Sequence, residues 1–201
     1  MRDRLLSRFA AARGGVAALE FAMILPLLVA GYFGTVELTR LIDVNRKLSQ
    51  FARTMADLSG RADNSSPTAA DMANLTTAAS AILRPLDTSG LQITVSAMGV
   101  ESIGGSLYGG VCSSWAQNAS PRARLTVNGS NGLPATPAAY QFDGARYILS
   151  EVTMAYTPMI GSNLYRWIFG SRGLVFTRQI PWAQRTSAEI VMPGGSNCPT
   201  Y

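Results

Sequence analysis

The sequence contains no histidine. That removes the side chain most used as a general base near neutral pH, and the commonest metal ligand with it. Lys47 is the only lysine, so a serine–lysine nucleophile has one residue to draw on. Cysteine is almost as scarce. Cys112 and Cys198 stand 86 positions apart, a spacing that fits no zinc or redox motif. Charged residues make up 14% of the chain against 47% hydrophobic, a low charge density for a soluble domain. No cluster of basic residues interleaved with aromatics occurs, so nucleic acid is not an expected partner. No spacing singles out a carboxylate pair, and Asp57, Asp63 and Asn64 merely flank a loop. No catalytic residue, cofactor or metal ion is therefore expected, and the chain does not read as an enzyme.

The charge that is present is lopsided. Of the net +5, residues 1–15 carry +3, from Arg2, Arg4, Arg8 and Arg13 against Asp3. Immediately after them, residues 16–36 hold one charge, Glu20. A helix rises about 1.5 Å per residue, so this run spans about 30 Å, the thickness of a bilayer's hydrocarbon core. It is too long for the apolar part of an ordinary signal peptide. The basic flank places the short head in the cytoplasm and sends the remainder outward. A buried core helix and a cleaved secretory signal are the competing readings. If the body is exported, Cys112 and Cys198 read most simply as one disulfide, the alternative being two buried thiols.

Helical spacing does not stop at the apolar run. Leu41, Val44, Leu48, Phe51, Met55 and Leu58 recur at intervals of three and four, with Asp43 and Lys47 paired at i,i+4. One helix over 16–59 is expected, ended by Gly60 and bent or loosened at Pro26. Ser66 and Pro67 should open a second helix over 67–83, burying Met72, Leu75, Ala79 and Ile82, with Pro85 ending it. A half-buried strand is expected over 91–98, then an irregular Gly/Ser-rich loop over 99–119, with 104–108 a candidate hairpin turn. A short strand over 122–127 and a loop over 128–139 follow. The strongest strand signal is 146–156, with Ile148, Val152, Met154 and Tyr156 on one face. A short helix over 163–169, a strand over 174–180 ended or edged by Pro181, a strand over 186–192 and a tail complete the pattern. The fold class is α+β: a long N-terminal transmembrane and amphipathic helix packed on a small antiparallel sheet.

The opening residues carry a family likeness. A basic head, then Gly15, then an apolar helix with Glu20 five residues on, resembles the leader of type IV prepilins. The stretch RGGVAALEFAMILPLL is similar to the TadE/TadF-like minor pilins, or pseudopilins, of Tad (tight adherence, type IVb) pilus systems. Glu37 matches a second acidic position of that branch. The strands around 152–158 and 176–178 also look like its body. The resemblance implies cleavage by a prepilin peptidase between Gly15 and Val16, or one bond earlier because Gly14 is also a glycine. Val16 and Phe21 would become mature residues one and six. Glu20, the fifth, would pair with the new Val16 α-amine of a neighbouring subunit. Position alone equally allows Glu20 to sit at the membrane edge with no partner. A pilin-like body longer than a minimal major subunit points to a minor one.

The organisation implied is a leader over 1–15, a helix over 16–59 crossing the inner membrane at 16–36, and a periplasmic α+β domain over 60–201. The expected partners are the peptidase, other pilin or minor pilin subunits and inner-membrane lipid. The expected role is pilus assembly, priming or capping, and surface adhesion. The alternative is an uncleaved, single-pass periplasmic scaffold or adhesion factor. Arg178, Glu151 and Trp182 could mediate contacts, but each is equally a solvated or core position.

Overall fold

The computed structural model describes residues 14–61, 66–158, 163, 166–167, 170, 173–186 and 189–198. The basic head therefore lies outside the described residues, as does most of the short helix expected over 163–169. Within that helix, Asn163, Arg166 and Trp167 are helical.

Helix α1 runs unbroken over Gly14–Ser59, 46 residues, with Pro26 inside it. Its first half is not covered by the described body: every residue from 15 to 35 is exposed. Its second half lays the expected stripe on the sheet. Val44, Leu48, Phe51 and Met55 are fully covered, while Leu41 and Leu58 flank them at half burial. Burying side chains of this size contributes about 1.5–3 kcal/mol each. The helix ends at Gly60, whose N–H still reaches the Ala56 carbonyl at 2.9 Å. Gly60 does not adopt the left-handed conformation that ends many helices. It is small because the Ala56 and Ala183 carbonyls crowd it, 3.1 and 3.4 Å from where a Cβ would stand.

Helix α2 spans Ala69–Ser80, later than the sequence suggests. The cap is Thr68, not Ser66. Its hydroxyl accepts from the Asp71 N–H while the Asp71 carboxylate accepts from the Thr68 N–H. This reciprocal pair satisfies two otherwise unpaired donors; Ser66 has Ala69 three residues on, which carries no acceptor to answer its N–H. A 3₁₀ turn over Ala81–Leu83 extends the helix, so the buried face is Met72, Thr76, Ala79 and Leu83 rather than the expected set.

Four strands form one antiparallel sheet: β1 (Gln92–Ile103), β2 (Ser106–Gln117), β3 (Arg146–Tyr156) and β4 (Leu174–Ala183), in the order β2-β1-β3-β4. The expected loop over 99–119 is mostly strand. Gly104 and Gly105, both at positive φ, turn a two-residue hairpin between Ile103 and Ser106. Glycines and serines hid β2, but two of the glycines are needed there. A Cβ on Gly109 would stand 2.3 Å from the Asn128 amide, and one on Gly110 would crowd the Thr126 carbonyl. The segment expected as a strand over 122–127 makes only an isolated bridge, Val127 to Gly110. β4 runs through Pro181, which an edge strand tolerates. No strand forms among the described residues of 186–192. Instead Ile190 and Met192 sink into the core, and the Met192 N–H donates to Ser113 Oγ.

Over residues 93–100 both faces of the sheet are covered, which explains why this part of β1 is buried continuously rather than alternately. One face, with Ile93, Val95, Ile148 and Val152, packs on α1 and α2. On the other, Met98, Val100, Tyr147 and Leu149 lie under the long β2–β3 connection, which supplies Leu133 and Tyr140. Tyr140 stacks on Tyr147 at 4.6 Å. The Asn128 amide donates to the Tyr147 and Thr136 hydroxyls at 2.9 and 2.7 Å.

Candidate assembly surface

The surface that sets this chain apart is the free half of α1. Val16 is 59% exposed, Phe21 59% and Leu27 73%, with Leu19, Met23 and Leu28 similarly bare. The helix is long and apolar enough to cross a membrane. Two threonine hydroxyls at and just beyond the end of this free half bond within the helix. Thr35 donates to the Gly31 carbonyl at 2.8 Å and Thr39 to the Thr35 carbonyl at 2.9 Å, so neither presents an unpaired donor.

Gly15 lies in the first turn of this helix. A Cβ there would meet nothing within 4 Å, and its φ is negative. A helical glycine costs about 1 kcal/mol relative to alanine. The chain's own packing does not require it, and the same holds for Gly31 and Gly34. Glu20 is exposed and makes no hydrogen bond or ion pair with the described residues. The free half of α1 thus presents one carboxylate on an otherwise apolar rod.

Glu37 behaves differently. It marks where the rod meets the body, and the Tyr156 hydroxyl donates to its Oε1 at 2.5 Å. Its second oxygen is shielded from solvent and has no partner among the described residues. Burial and the neighbouring Glu37 carboxylate push the Tyr156 phenol up to about 12. Sequence reasoning singled out Glu37 and Tyr156 separately, and 119 positions hide their contact.

At the far end of α1, Asp57 gathers three donors. Arg61 bonds one oxygen at 2.5 Å; Arg185 and the Trp182 indole bond the other at 2.8 and 3.0 Å. The Arg61 hydrogen bond, that of the Trp182 indole and the charges of Arg185 and Arg61 hold the Asp57 carboxyl below its ordinary value despite partial burial. Trp182 is therefore a half-buried strut between helix and sheet. Glu151 is buried and structural: Arg122 grips it with two bonds, Nε to Oε2 at 2.9 Å and Nη2 to Oε1 at 2.7 Å. Arg178 donates to the Thr177 carbonyl at 2.9 Å.

Cys112 and Cys198 form a disulfide that fastens the C-terminal tail to β2. Cys112 sits where the β1–β2 register skips a residue, a bulge that frees its side chain from the ladder. Gly99 makes room for the bond. A Cβ there would approach the two sulfurs to 2.7 and 2.8 Å. Glu189 completes a cluster with these sulfurs, but bonded sulfurs offer no thiolate to a metal ion. Lys47 is tied to Asp43 at 3.0 Å and to the Arg84 carbonyl at 2.9 Å. No serine hydroxyl is bonded to it among the described residues.

Residues 15–57 match the family model described as TadE-like protein. The match covers the exposed rod and the packed stripe together, Glu20 and Glu37 included, and stops before the sheet. No curated protein and no solved structure matches the chain.

Proposed function

We propose that this TadE-like, pilin-type protein, associated with Tad pilus systems, is a minor pilin or pseudopilin processed by a prepilin peptidase. The observation that carries the reading is the free half of α1. It is apolar on all sides, unpacked by its own body, and interrupted by one carboxylate five residues after a glycine the fold does not need. In the inner membrane the rod lies in lipid, with the body in the periplasm. A charged side chain near the bilayer centre costs about 2.5–3.5 kcal/mol on insertion scales, and less toward the edge, where Glu20 stands five residues into the run. A cation brought to Glu20 offsets that cost.

Hydrolysis of the bond between Gly15 and Val16 supplies the cation. It creates an α-amine four residues before Glu20 and removes the +3 head that holds the rod in the cytoplasmic leaflet. The amine of one subunit meets Glu20 of the next, and the rods pack side by side as subunits join. Leaving Gly14 and Gly15 without side chains lets the peptidase approach the backbone closely. The body then acts in priming or capping of the pilus and in surface adhesion.

N-terminal sequencing of membrane-extracted protein tests this. Cells with active peptidase should yield a chain beginning at Val16. Gly15→Leu should leave the full-length chain uncut, visible as a slower electrophoretic band. A start at Met1 in peptidase-positive cells would overturn the pilin reading in favour of an uncleaved envelope scaffold.

A further inference from the structure

The sheet face turned away from α1 changes character along its length. Toward the Asp57 end it is apolar and roofed by Leu133 and Tyr140. Toward the Glu37 end it opens into a cleft of about 510 Å³ whose floor is polar. Strand register arranges that floor in two rows. Gln92, Thr153 and Thr177 lie side by side across β1, β3 and β4, and Thr94, Glu151 and Gln179 form the next row. Residues of the β2–β3 connection, Pro121 among them, make one wall.

The floor is held in place by its own bonds. Arg122 spans from Glu151 to the Asn131 carbonyl, which it reaches at 2.7 Å. Gln179 donates to the Gly132 carbonyl at 2.6 Å and to Glu151 at 2.9 Å. Thr153 and Thr177 share a hydrogen bond of 3.1 Å. Arranging these groups for a ligand therefore costs little at the moment of binding. Charge is balanced within the cleft, because the one guanidinium is spent on the one carboxylate. An anionic ligand would have to break that pair, leaving a buried charge uncompensated. The remaining chemistry is hydroxyl and carboxamide groups, threonine methyls and the Pro121 ring. That mixture matches a molecule with hydroxyls on its edge and C–H groups on its face.

The geometry points to a binding groove for a neutral saccharide of about two rings, on the face of the sheet opposite α1. Its exposure in an assembled filament rests on the helix-packed assembly proposed above, since rods that pack together turn this face outward. Among the described residues the lining contains no aromatic ring for a sugar to stack on. Binding should accordingly be weak, with a Kd of about 1 mM.

The test uses the full chain in an amine-oxide detergent that carries no sugar. It is titrated with cellobiose, lactose, N,N′-diacetylchitobiose and digalacturonic acid, and read by saturation-transfer NMR. At least one neutral disaccharide should bind saturably, and the uronic acid should not compete with it. Thr177→Val and Thr153→Val keep shape and strand preference, and each should weaken binding by about tenfold. No saturable binding across the neutral sugars overturns the assignment. So does binding that both valine variants leave unchanged, or preferential binding of the uronic acid. The assay needs no filament. A chain that binds sugar but never enters pili keeps the groove and removes the pilus reading.

Discussion

The two halves of α1 are one continuous helix under two different sets of rules. From 37 to 59 the helix is amphipathic. Val44, Leu48, Phe51 and Met55 are covered by the sheet, and Asp43, Arg46, Gln50 and Arg53 face water. From 15 to 35 no such division exists: large apolar side chains point every way and remain bare. A face restricted to a stripe implies one partner beneath it. An apolar surface all round implies an apolar environment on every side, either lipid or other helices. The body alone thus stabilises the second half. The first half's hydrophobic surface contributes nothing until something outside this chain covers it.

The largest separation between the halves should come from matched phenylalanine truncations. Phe51 is fully buried and Phe21 is 59% exposed. Phe51→Ala should cost the body about 3–5 kcal/mol through lost transfer energy and the cavity left behind. Phe21→Ala should move the same unfolding transition by less than about 0.5 kcal/mol. Urea unfolding of the full chain in micelles, followed by tryptophan fluorescence, measures both. Equal effects would mean that the rod folds back on the body and that the halves are not distinct.

The boundary between them is the next place to press. Tyr156→Phe keeps the ring but removes the only hydrogen bond the Glu37 carboxylate makes among the described residues. A shielded acceptor left without a donor costs about 1–3 kcal/mol. Hydrogen exchange should speed up from 37 to 44, while protection in β1 and β3 stays as it was. Unchanged exchange would show that water replaces the phenol and that no latch joins rod to sheet.

This boundary also shows what could and could not be read from the chain. The apolar run and the stripe after it placed α1 to within two residues, since both need only local sequence. β3 was equally plain, because it is rich in β-branched and aromatic residues along its length. β2 was not. Its glycines exist to let Asn128 and Thr126 approach, and a residue chosen for what lies beside it leaves no local pattern. The Arg122–Glu151 grip has the same origin, though one signal was available. A carboxylate in the middle of the most apolar strand demands a cation, and the loop before it carries one. Glu20 was legible for the opposite reason: nothing among the described residues answers it, so its oddity survives in the sequence alone.

Acid should act on the packed half and spare the rod. The bonds from Arg61, Trp182 and Arg185 hold the Asp57 carboxyl below its unfolded value. A carboxyl lowered in this way binds protons more readily once unfolded. The stability it contributes is present above the unfolded value of about 3.9, and is lost as pH falls through the lower folded value. Asp57→Asn should flatten that part of the stability curve below about pH 4. An acid limb that is the same in wild type and Asp57→Asn would place the proton uptake on other carboxylates.

The smallest effect belongs to the water-facing side of the packed half. Asp43 and Lys47 form an i,i+4 pair at 3.0 Å, with Asp43 more than half exposed. Lys47 also donates to the Arg84 carbonyl, so it stays anchored when Asp43 is lost. Asp43→Ala should therefore cost only about 0.3–0.5 kcal/mol, and less as salt is raised. The comparison of halves makes this small number informative. If the body sat in the lipid headgroups rather than beyond them, water would screen the pair less and its loss would cost more. Measuring Asp43→Ala in lipid nanodiscs and again in detergent separates the two cases. Matching small values place the helix above residue 43 in open water, where an amphipathic stripe and a solvated face are the pattern expected.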